Sequence, residues 1–450
     1  MTLDTALERA LREQTPLVWI NPQWAPGIPA AGPAPSQLVE AESRMGRAGE
    51  LLADLFAGAA SSHQGIESPL QCADALASCH PLLFKDSGPL FLKRDDMLPV
   101  AGSIKARGGF HEVLALAERI AQQQGLRTDP GHLLGAEARA LFSRYTVAVG
   151  STGNLGMSIG IFAAALGFRP VIHMSVDAKQ WKKQRLRDHG ARVVEHTGDY
   201  ASAVEAGRRE AGADPLSHFV DDERSMMLFL GYAASARHVV QQLRDAGRSI
   251  DAGHPLFVYL PCGVGGAPGG IAYGLKQLLG DNVHCFFIEP VASPCMLVQL
   301  ASGSDQPISV HALGLDNRTE ADGLAVGLAS PLVAPLMRTL LSGVMTIADD
   351  DLFRCLFTAQ QQLAATLEPS AAAALSGPGS LLASEAGRRY IDALAVAPSD
   401  ITHLMWSTGG SMVPAHEYAA FLARGRALLD SEPGWFWRAS SDAAADGRLP

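Results

Sequence analysis

The chain is 450 residues long, 47% hydrophobic, and carries a formal net charge of −10. That length holds about two to three domains, and a nucleic-acid groove, which needs clustered Lys and Arg, is opposed by the acidic balance. No run of about 18 uninterrupted apolar residues predicts a membrane span. The N-terminal stretch lacks an apolar signal core, and the six cysteines, at 72, 79, 262, 285, 295 and 355, lack the close pairs of a structural zinc site. The expectation is a reduced, cytoplasmic protein with no metal, nucleic-acid or membrane partner.

Residues 1–60 read as helix interrupted between Pro22 and Pro35, with apolar residues at helical spacing from Arg44 to Phe56. This segment is expected to be an N-terminal extension packed on the main body. From about residue 88 the pattern turns to strand–loop–helix units. Pro89–Arg94 reads as a strand, followed by a Gly-containing loop and a helix with Phe110, Val113, Leu114 and Ala117 on one face. Thr146–Val149, Val171–Met174 and Ala191–Val194 are further strands, with helices over Met157–Leu166 and through Trp181 and Leu186. The basic stretch Lys179–Arg187 reads as the solvated face of that second helix. Later come strands Leu256–Leu260, Val283–Ile288 and His403–Trp406, with a helix over Ile271–Leu279. Such βαβ units imply parallel sheets with right-handed crossovers. The class is α/β, with two open sheets and ligand loops at the C-terminal ends of strands. The tail from about Ser431 is rich in Ala, Asp, Ser and Gly and is expected to be loosely held.

Three loops carry the chemistry. In Ser103-Ile-Lys105-Ala-Arg107-Gly-Gly109 a lysine sits beside glycines at the start of an amphipathic helix. The positive end of a helix disfavours the ammonium form, and the free amine attacks an aldehyde. On this segment alone, a surface lysine in a first helical turn is the simpler account. Gly150-Ser-Thr-Gly-Asn-Leu-Gly156 combines small residues, which let a backbone approach a ligand, with amides at a helix start that suit a carboxylate. Ser or Thr capping of an ordinary turn explains this loop equally well. Cys262-Gly-Val-Gly-Gly-Ala-Pro-Gly-Gly270 has five glycines in nine residues between a strand and a helix, a backbone cradle for a phosphate. It lacks the Gly-Lys-Ser/Thr ending of a nucleotide P-loop, and the dinucleotide G-x-G-x-x-G spacing fails at Pro268. A nucleophilic lysine, an anion and ring contact loop and a phosphate loop together suit a phosphorylated aldehyde.

The order Ser-Ile-Lys-Ala-Arg-Gly-Gly, Ser-Thr-Gly-Asn-Leu-Gly, Cys-Gly-Val-Gly-Gly, Ser-Thr-Gly-Gly resembles the tryptophan-synthase-β-like class (fold type II) of pyridoxal-phosphate enzymes. Within that class it is most similar to the branch that eliminates ammonia from D-serine. The likeness includes Trp19–Pro22, Leu92–Asp96, Asp221–Glu223 with Leu228–Tyr232, Glu289–Cys295, Ala321–Gly327, Leu367–Ser370 and Met412–Pro414, and runs from about residue 16 to about 426.

The resemblance implies two open α/β domains with mostly parallel sheets and the cofactor in the cleft between them. The large domain would be 61–108 with 235–430, the smaller one 109–234, and the tail 431–450. It implies pyridoxal 5′-phosphate, a small amino-acid substrate, a monomer, and α,β-elimination of D-serine to pyruvate and ammonia. Lys105 would be the Schiff-base lysine. Asn154 would bond the ring hydroxyl, and Gly263, Val264, Gly265, Gly266 and Ala267 would offer amides to the phosphate. Thr408 would face the pyridine nitrogen, with Ser407 the nearby alternative. A hydroxyl there does not force protonation of the ring, which favours elimination over transamination. Ser151, Thr152 and Gly153 would hold the substrate carboxylate. Lys105 is the default base at Cα, and Thr152 is the candidate for a base on the other face.

Departures from the family pattern are Ala267 in place of a further glycine, Arg224 in place of an uncharged amide, and Ser411 in place of a glycine. A methyl at 267 is tolerated if the backbone there is not at positive φ. The competing readings are an L-serine or L-threonine dehydratase of the same fold and a protein that binds the cofactor without turnover. His173, His284 and His403 lie in apolar strands and read as packed and hydrogen-bonded. Glu289 could help bind a monovalent cation, as in some relatives, though an ordinary salt-bridge or hydrogen-bond role is the simpler reading.

Overall fold

Apolar runs rich in β-branched and aromatic residues, such as Leu256-Phe-Val-Tyr-Leu260 and Val283-His-Cys-Phe-Phe-Ile288, form strands buried on both faces, as parallel sheets require. The computed structural model describes residues 3–27, 31–56, 66–151, 153–197 and 200–432. Its strands in chain order are β1 (Val18–Ile20), β2 (Leu70–Cys72), β3 (Leu90–Arg94), β4 (Thr146–Gly150), β5 (Arg169–Ser175), β6 (Arg192–His196), β7 (Ser217–Val220), β8 (Leu256–Pro261), β9 (Val283–Pro290), β10 (Gly343–Ile347) and β11 (Thr402–Ser407).

The chain divides into two compact units, Met1–Gly32 with Ser68–Asp96 and Ala236–Pro450, and Pro33–Glu67 with Met97–Ser235. The first unit holds a seven-stranded sheet in the order β1-β10-β9-β8-β11-β3-β2. Its inner strands pair in parallel, and only the edge strands β1 and β2 run antiparallel to their neighbours. Leu92, Tyr259, Phe286, Ile288 and Met405 of this sheet share a buried cluster with Leu352 and Leu356. Each such side chain contributes roughly 1.5–3 kcal/mol by leaving water. The second unit holds a four-stranded, all-parallel sheet, β6-β5-β4-β7. The helices Asn154–Leu166 and Tyr200–Gly212 pack on it, and the helix Lys105–Gln123, whose Phe110, Val113, Leu114 and Ala117 are fully buried, packs on the first of these. Phe110 meets Phe162 of the helix Asn154–Leu166 at a ring separation of 4.7 Å.

The α/β class with two mostly parallel sheets follows the expectation, and the strands expected from residue 88 onward are all present. Four further strands have no counterpart in the sequence pattern. β1 and β2 are three-residue edges, too short for a periodic signal. The inner strand β10 is a brief buried run, and β7 has only mixed polarity.

Segments expected as one N-terminal extension split instead. β1 pairs with β10 in the first unit, while the helix Pro35–Leu55 packs on the Lys105 helix in the second. The unit boundary falls at Asp96 and Met97 rather than near 108, because the whole Lys105 helix packs within the second unit.

The basic stretch also differs from a simple solvated face. It is a helix, Gln180–Asp188, but Lys182 and Lys183 are buried. Lys183 Nζ sits 2.7 Å from Val176 O and 2.7 Å from Glu195 Oε2, so its apolar stem is covered while its charge is paired. Of the expected tail, residues 433–450 lie outside the described residues. Among the described residues no helix is long and apolar enough to cross a membrane, and the six cysteines are free thiols.

Candidate functional site

In the second unit the site grows from the C-terminal ends of two neighbouring parallel strands. β4 ends at Gly150 and opens into Ser151-Thr-Gly-Asn154, while β7 ends at Val220 and opens into Asp221-Asp222-Glu223. The Lys105 and Asn154 helices cross where an added Cβ on Gly109 would stand 3.2 Å from both Ser158 and Ile159. Each helix begins about one turn upstream of that crossing.

Lys105 is the first residue of its helix. Its Nζ lies 2.8 Å from Asp222 Oδ2 and 6.0 Å from the ring centre of Tyr232. The lysine side chain is 20% exposed and the aspartate 9%. Asp222 Oδ1 is buried and has no hydrogen-bond partner among the described residues. A buried carboxylate oxygen without a donor costs about 1–3 kcal/mol, so this is a place where a donor or proton is wanted. Lys105 is not the surface lysine that its segment alone would suggest. It is a partly buried amine facing a carboxylate and an aromatic ring.

Ser151 is buried, and its Oγ accepts the N–H of Gly153 at 3.0 Å and of Gly156 at 2.9 Å. These bonds turn the Gly153 amide inward and leave the Ser151 hydroxyl proton for another acceptor. Gly153 has φ +157° and ψ −71°. A Cβ there would stand 2.3 Å from Lys182 Cδ, so a larger residue would have to displace the Lys182 side chain as well as adopt the positive φ. Asn154 begins its helix, half-buried. Thr152 lies outside the described residues.

Within the first unit alone, the C-terminal ends of β3, β11, β8 and β9, adjacent in the sheet, carry the glycine loop, Glu289 and the Ser407–Thr408 pair. β8 runs into Cys262–Gly265 and the helix Gly266–Leu279, whose N-terminus has no side-chain cap. Gly265 adopts φ +106°, and a Cβ on Gly263 would stand 2.9 Å from the carbonyl oxygen of Gly323. The result is a backbone-lined, uncapped helix start of the kind that binds phosphate. Ala267 lies inside the helix and is absent from the positive-φ positions, so its methyl is accommodated. Ser330 N donates to Val264 O at 2.8 Å, and Cys295 Sγ approaches Gly263 O at 3.3 Å, pinning the loop from both sides.

Thr408 follows β11, half-buried. The hydroxyl of Ser407 lies 2.9 Å from Lys93 O and 2.6 Å from Asp96 Oδ1, which favours Thr408 over its neighbour as the free hydroxyl. Gly410 has φ +142°, and its Cβ would stand 2.4 Å from Glu368 N. Ser411, next to it, is not at positive φ, so the lost glycine there leaves no strain. Arg224 is exposed.

Glu289, at the end of β9, accepts the N–H of Met296 at 2.8 Å and of Leu297 at 2.9 Å. Burial pushes its pKa up to about 8, opposed by those two N–H groups. Both oxygens are thus engaged at the start of the helix Cys295–Ala301, the ordinary hydrogen-bond role. His284 and His403 are bonded to Tyr390 at 2.7 Å and to Tyr259 at 2.8 Å, and burial lowers each pKa to about 3. They are neutral core histidines.

Sequence reasoning missed Asp222 as a partner of Lys105, and missed Lys182 as the side chain that covers Gly153. The Asp-Asp-Glu turn is visible as a motif without a role, and only the packing of the helix that follows it, Met226–Ala233, on the Lys105 helix brings it to Lys105. Lys182 is hidden in the basic run.

A family model described as "Pyridoxal-phosphate dependent enzyme" matches residues 68–389. The chain is 57% identical over 427 residues to a "Probable D-serine dehydratase" from Burkholderia lata, covering 94% of this chain and 96% of the relative. It is likewise 57% identical to a protein of the same description from Cupriavidus pinatubonensis, over 95% of this chain and 97% of that one. Among solved structures it resembles diaminopropionate ammonia lyase from Escherichia coli in complex with D-serine, with TM-score 0.72, 19% identity, and coverage of 92% and 99%. It also resembles the processed form of threonine deaminase isoform 2 from Solanum lycopersicum, with TM-score 0.60, 20% identity, and coverage of 89% and 93%. At those identities the structural likeness speaks for the fold alone.

Proposed function

The chain belongs to the pyridoxal-phosphate dependent enzyme family, and from that premise we propose that it converts D-serine to pyruvate and ammonia by α,β-elimination. The observation that carries the substrate is the 57% identity, over 94% of the chain, to a relative described as a probable D-serine dehydratase. The residues present suit the cofactor. The uncapped helix start at Gly266 suits its phosphate, the Lys105 amine suits its aldehyde, and the orphaned Asp222 Oδ1 marks a site short of a partner.

In this reading Lys105 holds the aldehyde carbon. The amides of Gly263, Val264, Gly265, Gly266 and Ala267 hold the phosphate, the Asn154 side chain donates to the ring hydroxyl, and Thr408 faces the ring nitrogen. When bound, pyridoxal phosphate supplies a conjugated ring that accepts the electron pair released at Cα. Ser151 and Thr152 seat the substrate carboxylate, the Ser151 hydroxyl donating while its oxygen keeps the loop closed by accepting the N–H of Gly153 and Gly156, so that the Gly153 amide shapes the seat rather than donating to it. Lys105, whose Nζ lies 2.8 Å from Asp222 Oδ2, would be the amine that takes the Cα proton and shares it with that carboxylate. The D preference follows from how the carboxylate is seated, with Thr152 the hydroxyl to test on the opposite face. We further propose a monomer working in a reducing, cytoplasmic setting; the free thiols support the latter.

Lys105→Ala is expected to lose both the visible absorbance of lysine-bound cofactor and all pyruvate formation. A variant with a normal band and full turnover would refute the assignment. Pyruvate release measured separately from D-serine and L-serine tests the substrate, and a clear L preference would make the chain an L-serine or L-threonine dehydratase.

A further inference from the structure

Asp222 reaches Lys105 from a turn rather than from a helix or strand, so its placement depends on what holds that turn. Glu112, seven residues after Lys105 on the same helix, is a buried carboxylate, 4% exposed. Its Oε1 lies 2.9 Å from His218 Nε2 on β7, and its Oε2 accepts the hydroxyl of Ser225. Ser225 is the cap of the helix Met226–Ala233, its Oγ accepting Leu228 N at 3.1 Å, and its own N–H donates to Asp221 O at 2.8 Å. That capped helix runs back along the Lys105 helix. His111 Nδ1 lies 2.7 Å from Met227 O, and a Cβ on Gly108 would stand 2.5 Å from the Tyr232 ring. On the far side Arg208 holds Asp221 Oδ2 at 2.9 Å and Glu223 Oε2 at 3.1 Å. Asp222 sits between these anchors.

We propose that Glu112 is a positioning residue for the Lys105–Asp222 pair. Through Ser225 it ties the 221–225 turn to the helix that carries Lys105, so that both ends of the contact are referred to one rigid element. The carboxylate suits this task because each of its two oxygens meets one partner. A glutamine would keep the volume but turn an N–H₂ toward one of them. The functional weight of the pair rests on Lys105 being the cofactor lysine, but the geometry is tested without the cofactor.

The experiment uses the full chain freed of cofactor. Capture of a small phosphate-free aromatic aldehyde by Lys105 is trapped by borohydride at neutral pH and counted on the Lys105 peptide by mass spectrometry. Asp222→Asn is expected to speed capture about five- to tenfold, because the amine loses the charged partner of its hydrogen bond. Glu112→Gln and Ser225→Ala are expected to speed it in the same direction by severalfold, and to add nothing in the Asp222→Asn background. Ser225→Thr, which keeps the hydroxyl, restores the wild-type rate. A folded Glu112→Gln or Ser225→Ala whose capture rate stays within twofold of wild type overturns the proposal. So does an effect that multiplies with that of Asp222→Asn. If Glu112→Gln does not fold, Ser225→Ala, which removes only the hydroxyl link, decides alone. Because the readout is free of cofactor and substrate, failure here is distinct from failure of Lys105→Ala to abolish turnover.

Discussion

Replacing Gly265 by alanine puts the phosphate-loop geometry to a quantitative test. Gly265 precedes the helix Gly266–Leu279 with φ +106° and ψ −10°, a region that costs a residue with a Cβ about 1–3 kcal/mol. The new methyl would stand 2.6 Å from Met296 Cε, but that atom is the free end of a flexible side chain and can turn aside, so the backbone term dominates. If the loop relaxes to relieve a penalty of about 2 kcal/mol, the amides no longer converge, and the dissociation constant for pyridoxal phosphate rises about tenfold per 1.4 kcal/mol, or roughly thirtyfold. The assay is titration of the cofactor-free variant with pyridoxal phosphate, followed by its visible absorbance, beside thermal unfolding of the same preparation. Ala267→Gly serves as control. It lies inside the helix at ordinary φ and should cost only about 0.5–1 kcal/mol of helix stability. Gly265→Ala with wild-type affinity and an unchanged melting temperature would refute both the left-handed geometry and the role of the loop.

Two further outcomes follow from features around the site. Val100, in the loop leading to Lys105, is a β-branched residue at φ +71°, so Val100→Gly should stabilise the fold by about 1 kcal/mol; a lower urea midpoint would count against backbone strain there. Glu289 titrates near pH 8 when folded against an ordinary 4.5, so the folded state binds its proton more tightly, and stability present below pH 4.5 is lost as pH rises toward 8, by about 1.4 kcal/mol per unit at most. Glu289→Gln should remove that slope, and an unfolding free energy with the same pH dependence as wild type would contradict a buried carboxylate whose two N–H partners do not offset its burial.

Much of the scaffold was legible because its signals are local. Leu256–Leu260, Val283–Ile288 and the glycine run after Cys262 announce strand, turn and helix within a few residues, and all three elements are present. β1 and β2 were not legible, because a three-residue edge strand has no period of its own and exists only through its partner. The Lys179–Arg187 run misled in one respect. Charge counts a residue as solvated, yet the stem of Lys183 is covered while its ammonium is paired with Glu195.

What the sequence by itself determined was the chemistry available: an amine at a helix start, a small-residue loop with an asparagine, and a glycine cradle, each on a βα connection. Local propensity and spacing suffice for that, since each motif folds within its own turn. What only the tertiary structure decided was which groups meet. Asp222 reaches Lys105, Ser407 is spent on Asp96 and Lys93, and Glu112 holds Ser225. These pairs are far apart in the chain, and strand order and helix crossing, not any local pattern, bring them within hydrogen-bond reach.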